Sequence, residues 1–214
     1  MPHVEVNDVS LYYEEDGTGE PLLLLHGAGS AIDEPVNSWA GLRGLLGAHF
    51  RTLFIEHRGH GRSNNPQNRF DYPTLAEDIL AFADSLGITA FHLAGVSDGA
   101  IVGLHFGIND PQRLRSLVLL GVNYENDHET RLANKSWSHL PSEPDDSPVA
   151  ARLSERHDRA GKPPGYWRSL YEGLVDNVAV SPSYSEEVLA RITTPTLLVA
   201  GENDGYANLR QLSP

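Results

Sequence analysis

Short, nearly unbroken apolar runs at residues 21–25, 52–55, 91–94, 117–120 and 196–200 recur along the chain, separated by helix-period segments or glycine-rich turns. A strand covered by helices on both faces is apolar at every position, whereas a half-exposed strand alternates. These runs therefore predict a mostly parallel sheet between helical layers. Residues 9–13 alternate instead, as in an antiparallel edge strand. Thr74-Leu75-Ala76-Glu77 has the form of a capping box opening a helix to about Leu86, with Leu75, Ile79, Phe82 and Leu86 on its core face and Gly87 as its stop. Residues 99–107 and 183–192 read as further helices. Strand and helix in alternation define an α/β fold.

Residues 123–180 break this rhythm with Pro141, Pro144, Pro148, Pro163 and Pro164, the acidic group Glu143, Asp145 and Asp146, and helical pieces at 132–137 and 167–174. The aromatics Trp137, Tyr166, Trp167 and Tyr171 argue against a disordered loop. The expected organisation is a first core part at 1–122, an inserted helical lid at 123–180, and the last helix and strand at 181–214.

The 214 residues carry 16 basic and 29 acidic side chains, a formal charge of −13, and no cysteine. Without cysteine there is no disulfide scaffold, thiolate zinc site, iron–sulfur cluster or cysteine nucleophile. Binding a phosphate backbone takes a basic stripe. None runs through this sequence, so neither nucleic acid nor an anionic membrane is an expected partner. Residues 1–8 lack the regions of a secretory signal, and no apolar run approaches the roughly 18 residues of a membrane span. A cytoplasmic protein is expected.

Gly95-Val96-Ser97-Asp98-Gly99-Ala100 lies between a predicted strand and a predicted helix. Glycines two before and two after a serine suit a sharp elbow that projects the hydroxyl from the end of a sheet as a nucleophile, although an idle glycine-rich turn has the same composition. His26-Gly27-Ala28-Gly29 follows the run 21–25, where a flexible turn can aim a backbone N–H at a developing oxyanion. His26 is then either a general base or a brace that hydrogen-bonds the turn. His57 and His60 are spaced like metal ligands but lack an evident third.

Together with Glu56-His57-Arg58-Gly59-His60-Gly61-Arg62-Ser63 and Gly201-Glu202-Asn203-Asp204, these motifs make the chain resemble the α/β-hydrolase superfamily. Residues 56–63 are similar to its D-x-R-G-x-G-x-S turn, with Glu56 in place of aspartate, which implies a structural role. Residues 201–204 are similar to its G-x-x-D turn, whose aspartate orients a catalytic histidine; an Asx turn is the other reading. The resemblance implies Ser97 as nucleophile, Asp204 as triad acid with Glu125 in reserve, and the backbone N–H groups of Ala28 and Asp98 as the oxyanion hole. It implies hydrolysis of a small carboxylic ester or lactone through an acyl-serine, with no metal or cofactor. Serine at position 97 separates the chain from members that use aspartate there, epoxide hydrolases and haloalkane dehalogenases, and leaves C–C bond hydrolases and cofactor-free haloperoxidases open. Asp98 is implied to border the acyl pocket, where a carboxylate would attract a substrate ammonium or raise the pKa of the base, unless it faces solvent.

A serine hydroxyl needs a base. The resemblance places that base on a histidine beyond the last strand, followed by a closing helix. After Asp204, residues 205–214 contain no histidine, so a C-terminally truncated fold with impaired hydrolase activity is expected. The alternatives are a non-catalytic ligand-binding module, or a site completed by a second chain or by a lid histidine, His128, His139 or His157. A strand at 196–200 left on the sheet edge would expose apolar surface, so a homo-oligomer through that edge is expected.

Overall fold

The computed structural model describes residues 2–35, 38–134, 143–205 and 207. Its strands are β1 (His3–Val6), β2 (Val9–Asp16), β3 (Pro21–Leu25), β4 (Arg51–Ile55), β5 (Phe91–Val96), β6 (Leu114–Leu120) and β7 (Thr196–Val199). They form one sheet in the order β1-β2-β4-β3-β5-β6-β7. β2 pairs antiparallel with β1 and β4, and the strands from β4 through β7 pair parallel. Each apolar run is thus a strand of a mostly parallel sheet. Leu23 and Leu25 of β3 point into the cluster shared with α2 (Tyr72–Ser85) and α3 (Asp98–Asn109), while Leu22 and Leu24 join Phe54, Ile32 and Ala94 on the other face. Burial on both faces is why β3, β4 and β5 read as unbroken apolar runs, whereas the equally apolar β7 is exposed along its length.

Three local expectations are corrected. The alternating segment is not the edge: β1 lies outside β2, joined to it by the two-residue loop Asn7-Asp8 with Asn7 at φ 49°. Asparagine tolerates the left-handed conformation that such hairpin loops require. The cap of α2 is Asp71, not Thr74. The Asp71 carboxylate accepts from Thr74 N at 3.0 Å and from the Thr74 hydroxyl at 2.7 Å, so Thr74 serves as a donor in the first turn. The helix expected at 183–192 is only α7 (Glu186–Leu189). Ser183 bridges to Glu125 and Tyr184 N donates to Tyr124 O at 2.9 Å, so this backbone pairs as a strand before the helix begins. The stop of α2 is as expected: at Gly87, φ 67°, Ile88 N reaches Ala83 O and Gly87 N reaches Asp84 O, the paired bonds of a Schellman motif.

Between β6 and β7 lie α4 (His128–Asn134), α5 (Pro148–Arg159) and α6 (Tyr166–Val180). Trp167, Leu170, Tyr171 and Leu174 of α6 form one helical stripe packed on Ala150 and Leu153 of α5 and on Phe70 from the sheet domain, a second apolar cluster. Glu34 ties this layer down by accepting from Arg156 at 2.8 Å and Arg159 at 2.9 Å, and Tyr166 OH donates to Gly59 O at 2.8 Å. The helical piece expected at 132–137 starts within α4; Trp137 and His139 lie outside the described residues. α5 escaped sequence reading because one of its three buried positions is a histidine, His157, beside Ala150 and Leu153.

β7 pairs only with β6 among the described strands, and Leu197, Leu198 and Val199 are 58%, 43% and 39% exposed. No helix of the described residues is long and apolar enough to cross a membrane.

Candidate active site

Ser97 stands between β5 and α3 at φ 53° and ψ −118°, a left-handed φ that a serine adopts only under constraint. Its backbone is pinned on both sides: Ser97 N donates to Leu120 O of β6 at 2.9 Å, and Ser97 O accepts from Ala100 N and Ile101 N. The flanking glycines do not supply the positive φ. They are needed because the chain folds back on itself. A Cβ on Gly95 would run into the Gly99 carbonyl, and one on Gly99 would sit 2.6 Å from Leu25 O and 2.8 Å from His26 O. The elbow is therefore a product of close backbone approach, with the strain concentrated on the serine itself.

Ser97 opens into a cavity of about 430 Å³, a volume suited to a small-molecule ligand. Ala28, Asp98 and Asp204 line the same cavity, so the four residues singled out in the sequence converge. From the layer between β6 and β7 come Thr130, Leu174 and Val178. Glu125 is not among the lining residues. Asp204 both lines the cavity and accepts from Ala207 N at 3.1 Å, so the turn-forming bond and the cavity position coexist. Asp98 does not face solvent: it is 6% exposed and accepts from Tyr72 OH at 3.1 Å. Burial pushes its carboxyl up to about 6, opposed by the Tyr72 hydrogen bond. Tyr72, 26 positions away, left no local signal in the sequence.

As the first residue of α3, Asp98 has a backbone N–H without a partner inside the helix. The orientation of the Ala28 N–H follows from its peptide unit. His26 Nδ1 is 2.8 Å from Gly27 O, and since a carbonyl only accepts, the nitrogen carries the proton. In a trans peptide the N–H points opposite to the C=O, so anchoring Gly27 O on His26 turns the Ala28 N–H away from that ring. Gly29 N then donates to His60 Nε2 at 3.1 Å, and His57 N to His26 Nε2 at 3.1 Å. His26 and His60 are thus neutral braces of the turn, and each spends both ring nitrogens on backbone. Within the 56–63 segment Arg62 donates to the Glu56 carboxylate at 2.5 Å and Ser63 OH donates to Glu56 O at 2.6 Å, bonds that hold the turn together.

No described histidine lines the cavity. His3, His49 and His128 are exposed, His92 bonds Ser116 and Glu20, and His105 pairs with Tyr184 OH. His157 is buried against His60, ring centroids 6.4 Å apart, with Nδ1 donating to Leu153 O. Among the described residues no group of three or more histidines and acids is arranged to hold a metal ion.

His26, His57, His60 and His157 form one buried ring cluster. Burial lowers all four below the ordinary imidazole value, His57 and His157 to about 4. Each is neutral in the folded chain but takes a proton when unfolded near its ordinary value of about 6.5. Stability contributed by this neutrality is complete above that value and is lost as pH falls toward the folded values, with a slope of about 1.4 kcal/mol per pH unit for each histidine. Asp98, raised, works in the opposite sense but is one group against four. Urea midpoints are expected to fall between neutral pH and about pH 4. His57→Phe should flatten the fall, since both His57 ring nitrogens lack a partner among the described residues. A pH-independent midpoint would refute the role of the cluster.

A serine elbow at the end of a mostly parallel sheet, beside a backbone-donor turn and an aspartate turn, defines the class of α/β proteins built to present a nucleophile. The chain belongs to the α/β-hydrolase fold family, whose model matches residues 20–154. It is 25% identical over 203 residues to the 2-hydroxy-6-oxo-2,4-heptadienoate hydrolase of Pseudomonas putida, covering 88% of this chain and 73% of that one. It is 38% identical over 102 residues to the dihydrolipoyllysine-residue acetyltransferase component of the acetoin cleaving system of Pseudomonas putida, covering 48% of this chain and 26% of that one. The crystal structure of the enol-lactonase from Burkholderia xenovorans superposes with a TM-score of 0.73 at 20% identity, over 98% of this chain and 85% of that one. The chain spans less than half the length of the first curated relatives it matches.

Proposed function

We propose that the chain carries the nucleophile and oxyanion half of a serine hydrolase acting on a small carboxylic ester or lactone. The observation that carries this reading is Ser97 held at φ 53° in a cavity shared with Ala28, Asp98 and Asp204. Ser97 Oγ attacks the acyl carbon and loses its proton to a base. The carbonyl oxygen becomes an oxyanion received by the Ala28 and Asp98 N–H groups. Collapse expels the alcohol, or opens the lactone, and leaves an acyl-serine that water hydrolyses. Asp204 orients the base, and α4 to α6 act as the lid that sets substrate shape. With no described histidine in the cavity, turnover by this sequence is expected to be impaired, near the roughly 10³ to 10⁴-fold over water that remains when triad residues are removed. A serine at the attacking position, and relatives named as hydrolases, support this reading.

With imidazole added to supply the base, a fluorophosphonate probe is expected to label the protein at Ser97, seen as a single added mass on the peptide containing residue 97, and Ser97→Ala should abolish it. Added imidazole should accelerate ester turnover in its unprotonated form by supplying the base. Absence of labelling together with absence of imidazole rescue would favour the second reading, a ligand-binding module on the same fold, which the lack of a described cavity histidine also permits.

A further inference from the structure

The turn that carries the Ala28 N–H is held by α5 as well as by His26 and His60. Leu153 and His157 are four residues apart on α5, and so on one face of the helix, and both are buried. A Cβ on Gly29 would stand 2.5 Å from Leu153 Cδ2, so the Leu153 methyl occupies the space that a side chain at position 29 would need. Gly29, at φ 63°, therefore meets two demands at once, the left-handed turn and the seat for a residue of α5. Gly29 N donates to His60 Nε2, and the His60 ring faces His157, whose own Nδ1–H is committed to Leu153 O. Both partners in the hydrogen bond that fixes the peptide after Ala28 thus lie against α5. Ala28 itself packs on the same apolar cluster as Leu153.

Deepening the hydrolase reading above, on which it rests, we propose that α5 completes the oxyanion hole, with Leu153 as a positioning residue that holds the 27–29 turn and so keeps the Ala28 N–H aimed at the reacting oxygen. Leu153 is not among the residues lining the cavity, so it acts through Gly29 and not by touching the ligand. Donors for a developing oxyanion are effective when their direction is fixed before the charge appears. A peptide flanked by Gly27 and Gly29 has little stiffness of its own. His26 fixes the Gly27 carbonyl on one side of Ala28, and the Gly29 N–H is fixed on the other while the turn stays pressed against His60. Arg156 and Arg159 hold α5 to Glu34 independently of Leu153. Shortening Leu153 therefore leaves the helix docked and frees the turn beside it. On this arrangement the oxyanion donor is a joint product of the sheet domain and the layer inserted between β6 and β7.

The test separates the chemical step from binding. With imidazole added as base, the rate of fluorophosphonate labelling at Ser97 is followed against probe concentration, giving a limiting rate and a half-saturating concentration for the wild type, Leu153→Ala, Leu153→Val and Leu170→Ala. Leu170 belongs to the same buried cluster but is not among the side chains nearest Gly29, so its truncation costs packing without loosening the turn. Leu153→Ala is expected to lower the limiting rate by about tenfold or more, while the half-saturating concentration stays as in the wild type. Leu153→Val should fall between, and Leu170→Ala should keep the wild-type limiting rate. In amide exchange followed by NMR, the Gly29 N–H should exchange faster in Leu153→Ala than in Leu170→Ala. A limiting rate for Leu153→Ala equal to that of Leu170→Ala, or a loss carried by the half-saturating concentration alone, overturns the proposal. If Leu153→Ala does not fold, Leu153→Val against Leu170→Ala decides on the same terms. Failure of the hydrolase reading looks different: the wild type itself stays unlabelled in the presence of imidazole, which removes this proposal with it.

Discussion

Gly95→Ala is expected to destabilise the fold by about 3 kcal/mol or more, at the upper end of what overpacking costs, and to abolish labelling of Ser97 by fluorophosphonate. The added methyl meets backbone rather than a side chain that can rotate away: the Gly99 carbonyl and Ala100 N both lie inside its radius. Neither side can yield. β5 is hydrogen-bonded to β3 on one edge and β6 on the other, and α3 is fixed by its own first turn. The proper control is Gly44→Ala, in α1 (Arg43–Gly47), where a Cβ would meet nothing within 4 Å. There the change should be neutral or stabilising by up to about 1 kcal/mol, because alanine loses less backbone entropy in a helix. Urea unfolding of both variants checks the contrast, and equal effects would show that the elbow is not set by close approach.

Asp78→Ala should cost about 3–5 kcal/mol, the penalty for breaking a buried ion pair on one side only. Arg58 and Asp78 are each about 1% exposed and joined by two hydrogen bonds, 2.6 and 2.8 Å long. Asn7 Nδ2 also donates to Asp78 at 2.8 Å, and Arg58 reaches Asp8 at 3.0 Å. One carboxylate on α2 therefore locks the 56–63 turn to the β1–β2 loop. Removing it leaves a guanidinium in the interior with Asp8 alone. By contrast Arg51 and Glu15, about a third exposed, form a pair whose loss should cost less than about 1 kcal/mol. If the two alanine variants, Asp78→Ala and Glu15→Ala, unfold at the same denaturant concentration, burial is not what gives the Arg58 pair its weight.

Much of this architecture is legible in the residues because parallel strands buried on both faces advertise themselves, and because the elbow is a local motif whose glycines have a steric reason. β1 was legible in principle: Asn7-Asp8 between Val6 and Val9 is a two-residue hairpin signal. With only Val4 and Val6 apolar, the strand itself is too short to stand out. α5 hides because its inward face includes a histidine, and the short α7 because the backbone just before it is claimed by pairing with Tyr124 and Glu125. The convergence of Ala28, Ser97, Asp98 and Asp204 could be proposed from motif order. The Tyr72 to Asp98 contact, the part of His60 in bracing the turn beside His26, and the burial of His157 could not. Each depends on residues brought together by the sheet, with no pattern in the intervening sequence.

The serine at the elbow also has an evolutionary side. A non-glycine residue held at a left-handed φ costs of order 1–3 kcal/mol, and Ser97 is the residue at the elbow that bears it. Glycine would occupy that geometry without strain, so selection for folding alone would drift position 97 toward glycine. A serine there is a standing sacrifice of stability, and on its proposed role as nucleophile this is the position where selection for chemistry and selection for robustness pull in opposite directions.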